Sequence, residues 1–240
     1  MQKYNVRFLD RYHVAENTMA FEFEKPEDFT FLAGQHLSLA LPELMYEDER
    51  GEFRTFTISA APHAKTLLIT TRMTGSGFKK TLAEMPLKTE VSINGPMGEM
   101  VLDENAPAVF LAGGIGITPF RSMLLESLHV GQKVPMTLLY SNRNPDVAAF
   151  HSLFVHLANM QLENFTYVPT LTEDDPRNKK WTGERRLFTS DLIHDYVSNV
   201  DECIFYMGGP PTLVDTVTKT LSDMGIDDER IRSESFWGYE

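Results

Sequence analysis

The chain has 240 residues, with 22 Lys+Arg against 34 Asp+Glu and a formal net charge of −12 at pH 7. That length holds one large domain or two small ones, each able to bury a core. The acidic balance excludes general nucleic-acid binding, although Arg72, Lys79, Lys80 and Lys88 can still form a local basic patch.

The single cysteine, Cys203, excludes intrachain disulfides, a multi-cysteine zinc site and a four-cysteine iron–sulfur cluster within the chain. The seven histidines show no metal-ligand spacing; His151 and His156 are five apart, off one helix face. No metal is expected. No apolar run approaches the ~20 residues of a membrane span. The N-terminus alternates like a strand and lacks a signal-peptide core, so a cytoplasmic location is the expectation.

Residues 1–102 read as a β-rich domain. Met19, Phe21 and Phe23 alternate with smaller or charged residues, as in a half-buried strand. Further strands are predicted at Asn5–Tyr12, His36–Leu41, Arg54–Ser59, Thr66–Arg72 and Glu90–Asn94, separated by turn-forming residues. Six short strands at this spacing predict an antiparallel barrel. One short helix interrupts them, with Phe78, Leu82 and Met85 on one face.

Asp103-Glu-Asn-Ala-Pro107 is a polar break, and the pattern then changes. Residues 103–240 alternate strands and helices: strand 108–112, helix 119–129, strand Met136–Ser141, a helix bearing Phe150, Leu153, Phe154 and Leu157, and a strand near Phe165–Leu171. After a long polar segment come a helix at 191–198 capped by Ser190 or Asp191, a strand at Cys203–Met207, a helix with Leu213, Val217 and Leu221, and a last strand at Ile231–Phe236. This alternation predicts a doubly wound parallel α/β sheet.

Two glycine turns follow predicted strands. Gly113, Gly114 and Gly116 lead into Thr118 and Pro119; Gly208 and Gly209 lead into Pro210. Both fall at carboxyl ends of strands, the ligand edge of an open α/β sheet. Glycine there lets a phosphate approach backbone N–H groups, and proline suits a first helical turn.

Several stretches, in this order, resemble the motifs of the ferredoxin–NADP reductase superfamily of flavoproteins. Arg54-Thr55-Phe56-Thr57 is similar to that family's Arg-x-Tyr-Ser flavin motif, with Phe for Tyr and Thr for Ser. The resemblance gives Arg54 a flavin phosphate, Phe56 the isoalloxazine face and Thr57 the flavin N5 region. Strand alternation puts Arg54 and Phe56 on one face, Thr55 and Thr57 on the other. Ile69-Thr70-Thr71-Arg72, followed by Gly75-Ser-Gly77-Phe78-Lys79, resembles the strand and helix start that hold the FAD pyrophosphate. Lys79 stands where many members carry Ser or Thr.

The first glycine turn matches the family's Gly-Gly-x-Gly-x-Thr-Pro, which faces the nicotinamide-nucleotide pyrophosphate. Gly208-Gly209-Pro210 matches a Cys-Gly-Pro, with Gly208 in place of the cysteine. Glu234-Ser-Phe236 resembles the terminal Glu-x-aromatic; Phe236 is the expected ring over the flavin, and Trp237 and Tyr239 extend it. Thr57, Glu234 and Phe236 are the expected catalytic residues. The resemblance thus implies a reductase holding FAD and using NADH or NADPH, with ferredoxin or flavodoxin as the separate carrier. The alternatives are a reductase of diffusible acceptors (free flavin, ferric chelates, quinones) and a non-catalytic subunit of a larger complex. For the nucleotide, Thr170-Leu-Thr172 lacks the arginine of the NADP-dependent members, whereas Arg143 and the cluster Arg177, Lys179, Lys180, Arg185 and Arg186 favour a 2′-phosphate. The sequence carries no indication of oligomeric state.

Overall fold

The protein is described by a computed structural model covering residues 2–160, 162–173 and 176–237, with the side chains of Pro176 and Arg177 outside the description. Tyr239, and the side chain of Arg177, named above, therefore lie outside the described residues.

Alternating residues build the first sheet. β1 (Gln2–Ala15) is long enough to pair with two neighbours, β2 (Thr18–Glu24) and β6 (Glu90–Met97). With β3 (His36–Ala40), β4 (Phe53–Thr57) and β5 (Thr66–Arg72) it forms six antiparallel strands in the order β4-β3-β6-β1-β2-β5. Past the end of β4 an Ile58–Ile69 bridge and a 2.8 Å bond from Ser59 N to Leu68 O join the two edges and close a barrel. Inside it Phe8 packs on Phe21 and Phe23. Helix α1 (Gly77–Glu84) starts at Ser76, whose side chain accepts from Lys79 N at 3.2 Å, and buries Phe78 and Leu82 as their spacing predicts.

Helix α2 (Thr118–His129) is tied to the barrel. Ser122 Oγ donates to Ala60 O at 2.6 Å, and the Arg121 guanidinium donates to Ser59 O. The chain accordingly divides into one unit of Met1–Val101 with Thr118–Val130 and another of Leu102–Ile117 with Gly131–Glu240.

The second unit has five parallel strands, β7 (Ala108–Gly113), β8 (Met136–Asn142), β9 (Phe165–Leu171), β10 (Ile204–Gly209) and β11 (Ile231–Ser235), in the order β11-β10-β7-β8-β9. Every residue of β7 and β10 is buried, as expected for central strands covered on both faces. On one face α4 (Ser190–Tyr196) and α5 (Pro211–Asp223) supply Leu192, Ile193, Val217 and Leu221 to a core with Val109, Leu111, Phe205 and Met207. Phe154 of α3 (His151–Asn159) packs edge-on against Tyr140 of β8. Helix α4 starts one residue earlier than its sequence predicts, because Thr189, not Ser190 or Asp191, is the extended residue whose hydroxyl reaches Leu192 N. Among the described residues no helix is long and apolar enough to cross a membrane.

Candidate functional site

In the barrel unit, β4 and the start of α1 bring Arg54, Phe56 and Phe78 together. Arg54 and Phe56 share a face, as alternation predicts: the Arg54 guanidinium lies 5.1 Å over the Phe78 ring, and the Phe56 ring centroid is 6.0 Å from that of Phe78. Thr55 is exposed, but Thr57 is buried. Equal treatment of the two threonines fails here because the chain leaves β4 at Thr57 and crosses to β5.

Thr57 Oγ1 is buried and has no hydrogen-bond partner among the described residues. A buried hydroxyl left in this state costs about 1–3 kcal/mol unless a ligand satisfies it. A flavin ring edge offers such acceptors and donors, so the residues present fit FAD.

On β5, Ile69, Thr70 and Thr71 are all buried, and the Thr70 hydroxyl shares a 2.9 Å hydrogen bond with Ser59 Oγ. At the start of α1 the Gly77, Phe78 and Lys79 backbone forms the first turn, where N–H groups lack intrahelical acceptors. The Lys79 side chain turns inward, donating from Nζ to Arg72 O at 2.9 Å, and burial lowers its pKa to about 8.

In the second unit the strand order reverses between β7 and β10, and their carboxyl ends carry the two glycine turns. After Gly113 a single turn of 3₁₀ helix, Gly114–Ile117, leads into α2; Gly114 has φ +53°. A Cβ on Gly116 would meet the backbone of Gly208 and Gly209. One on Gly209 would stand 3.3 Å from Gly113 Cα. The glycines therefore allow the two turns to touch, a role their sequence pattern does not reveal. Thr118 and Pro119 are buried at the head of α2, and Pro210 precedes α5.

β11 runs parallel to β10 with Glu234 opposite Gly208, and Phe236 N donates to Gly209 O at 2.9 Å. Phe236 is thus held at the second glycine turn and is half-buried; Trp237 is exposed.

Of the basic residues expected to meet a 2′-phosphate, Arg143, Arg185 and Arg186 are engaged within this unit. Arg186 pairs with Glu184 at 2.8 Å and Asp195 at 2.7 Å, and this guanidinium holds the Glu184 carboxyl down at about 2. Arg185 donates to Asn178 O at 2.6 Å and Trp181 O at 3.1 Å. Arg143 faces Glu173 at 3.5 Å. Lys179 and Lys180 are exposed. Sequence reasoning counted the cationic residues and left out the nearby acids that Arg186 pairs with, Glu184 two residues away and Asp195 nine away.

The oxidoreductase FAD-binding domain model matches residues 5–102, and the oxidoreductase NAD-binding domain model matches residues 110–219. The chain is an oxidoreductase that binds FAD and NAD(P)H. It belongs to the ferredoxin–NADP reductase superfamily. Among curated proteins it is 33% identical over 154 residues to a subunit of the Na(+)-translocating NADH-quinone reductase of Serratia proteamaculans (strain 568). That match covers 62% of this chain and 37% of the relative, so the chain spans little more than a third of it. The fold is similar to a ferredoxin NADP+ reductase from Neisseria gonorrhoeae with bound FAD and NADP, at TM-score 0.79, 20% identity, and 98% and 99% coverage of the two chains. It is also similar to the cytochrome b5 reductase domain of Ulva prolifera nitrate reductase, at TM-score 0.81, 15% identity and 97% coverage of both.

Proposed function

We propose that the chain oxidises NADH and delivers the electrons, through FAD, to a separate one-electron carrier protein of the ferredoxin or flavodoxin class. The observation that carries the flavin half is the buried, unsatisfied hydroxyl of Thr57, on the same strand as Arg54 and Phe56. FAD supplies the hydride-accepting and electron-splitting chemistry when bound. The chain's own residues bind and orient. Arg54 and the first-turn N–H groups of α1 meet the phosphates, Phe56 packs on the ring system, and the Thr57 hydroxyl hydrogen-bonds the N5 edge. In the second unit the paired turns at Gly113–Gly116 and Gly208–Gly209, packed against each other, present the backbone that meets the nicotinamide nucleotide, and Glu234 and Phe236 stand beside Gly208 and Gly209.

The choice of NADH rests on the basic cluster: Arg143, Arg185 and Arg186 already have acidic or carbonyl partners, which a 2′-phosphate has to displace. The name of the Serratia relative, which belongs to an NADH-quinone reductase, points the same way. These 240 residues carry one cysteine and so hold no four-cysteine cluster of their own, which supports a one-electron acceptor supplied from outside them.

A second reading, an electron-conduit component of an assembly, is favoured by Gly208 in place of the family cysteine. Anaerobic titration of the FAD-loaded protein with NADH and NADPH in separate cuvettes tests both. Rapid bleaching by NADH with slow or no bleaching by NADPH supports the proposal, and no bleaching by either leaves the conduit. Turnover with ferric chelates or quinones but not with ferredoxin or flavodoxin removes the protein carrier.

A further inference from the structure

The loop between β3 and β4 folds back over the start of α1. Asp48 makes the central contact. Its carboxylate pairs with the Arg54 guanidinium and accepts from Phe78 N at 2.9 Å; the two side chains are 5% and 8% exposed. Arg54 Nη1 meanwhile donates to the carbonyls of Arg50, Gly51 and Phe53 at 2.9, 3.0 and 2.7 Å. The loop also sits directly on Gly77: a Cβ there would run into Glu47 O and, at 2.7 Å, Tyr46 O. Met45 N donates to Thr81 Oγ1 at 3.0 Å, and the Tyr46 hydroxyl donates to Glu84 at 2.6 Å.

Arg54, the first-turn N–H groups and the bare surface of Gly77 are the groups that the proposed function gives to the FAD phosphates. Here the Asp48 carboxylate already uses the Arg54 guanidinium and the Phe78 N–H, Ser76 Oγ takes the Lys79 N–H, and the carbonyls of Tyr46 and Glu47 cover Gly77. A carboxylate is the side-chain group nearest to a phosphate in charge and acceptor geometry. The loop offers little apolar burial, with Met45 and Tyr46 57% and 39% exposed, so it is held mainly by the polar contacts of Asp48 and Arg54, which a bound phosphate replaces as it opens.

We infer that Asp48 is an internal stand-in for a flavin phosphate, and that residues 43–51 form a latch that fills the pyrophosphate site until FAD displaces it. This inference rests on the assignment of Arg54 and α1 to the FAD phosphates. Binding then proceeds only from the open fraction, so the apparent dissociation constant is raised by the inverse of that fraction.

The test uses the full chain stripped of flavin. FAD affinity is read by quenching of flavin fluorescence, and thermal stability of the apoprotein is measured separately. Asp48→Asn is expected to bind FAD about tenfold more tightly while its apoprotein melts at a lower temperature. Opposite signs are the signature of a competing internal ligand. Weaker or unchanged FAD binding by the variant overturns the latch and leaves Asp48 as a positioning partner of Arg54. In the wild-type chain, amide hydrogen exchange is expected to speed up at 43–51 and slow at Phe78 when FAD is added; slower exchange at both overturns the latch without any variant. A wild-type chain that takes up no FAD overturns the flavin assignment itself, a result distinct from normal uptake with an unaltered latch.

Discussion

Gly116 lies against the backbone of Gly208, so that a Cβ on Gly116 falls on the Gly208 carbonyl. The contact joins the turn after β7 to the end of β10 at the point where the strand order reverses. Backbone cannot swing aside as a flexible side chain can. Gly116→Ala is expected to destabilise the second unit by about 2–4 kcal/mol and to abolish tight NADH binding, with FAD content unchanged. Urea unfolding and nucleotide titration check this; normal NADH affinity in a stable variant refutes the role given to the glycine contact.

Thr57 predicts a separation of stability from chemistry. Its hydroxyl satisfies nothing among the described residues, so Thr57→Val, which removes the unsatisfied group, is expected to stabilise the apoprotein by about 1–3 kcal/mol. In the FAD-loaded protein the same change is expected to slow reduction by NADH about tenfold, by removing a hydrogen bond to the flavin. Stopped-flow reduction is the measurement, and an unchanged rate dissociates Thr57 from the flavin.

Lys79 predicts a proton uptake. Burial first, and then the charges of Arg50, Arg54 and Arg72, hold it at about 8 against its ordinary 10.5, with Asp48 opposing. Between those values the unfolded chain carries the proton and the folded chain does not, so apoprotein stability rises with pH across that window. Lys79→Met is expected to flatten this slope. A phosphate nearby raises the ammonium pKa, so FAD binding at about pH 9 is expected to take up protons in the wild type and not in Lys79→Met. Calorimetry in buffers of different ionisation heat reads it. Equal uptake in both proteins places Lys79 away from the phosphates.

Asp48 predicts the acid limb. The Phe78 N–H above all, with the Arg50 N–H and the Arg54 guanidinium, holds its carboxyl below the ordinary 3.8, although burial pulls the other way. Its stabilising contribution is present above the unfolded value and is lost as pH falls through the lower folded value. The charged side chains that act on it or share its field are Arg54 and Lys79. The apoprotein is therefore expected to lose stability below about pH 4 more steeply than Asp48→Asn, as read by melting temperature against pH. Parallel curves refute the contribution.

Glu173 and Arg143 predict nucleotide choice. Their ion pair is exposed, at 47% and 61%, so its loss costs little stability. Glu173→Gln is expected to raise kcat/KM for NADPH over NADH about fivefold by releasing the guanidinium for a 2′-phosphate. An unaltered ratio removes Arg143 from the nucleotide site.

Local pattern determined much of this protein. Alternating apolar residues such as Met19, Phe21 and Phe23 specify half-buried strands, continuous runs such as Ala108–Ala112 specify fully covered ones, and glycine followed by proline marks a strand giving way to a helix. These signals lie within a few residues of one another, so two domains and their cofactors were legible in order. What tertiary structure decided were encounters between segments distant in the chain. Arg121 and Ser122 tie α2 to the barrel, 62 residues from their partners Ser59 and Ala60. Asp48, in an irregular loop with no periodicity to read, reaches the helix start 30 residues away. Charge pairing and backbone contact depend on which surfaces the fold brings together, and residue spacing along the chain carries no record of that.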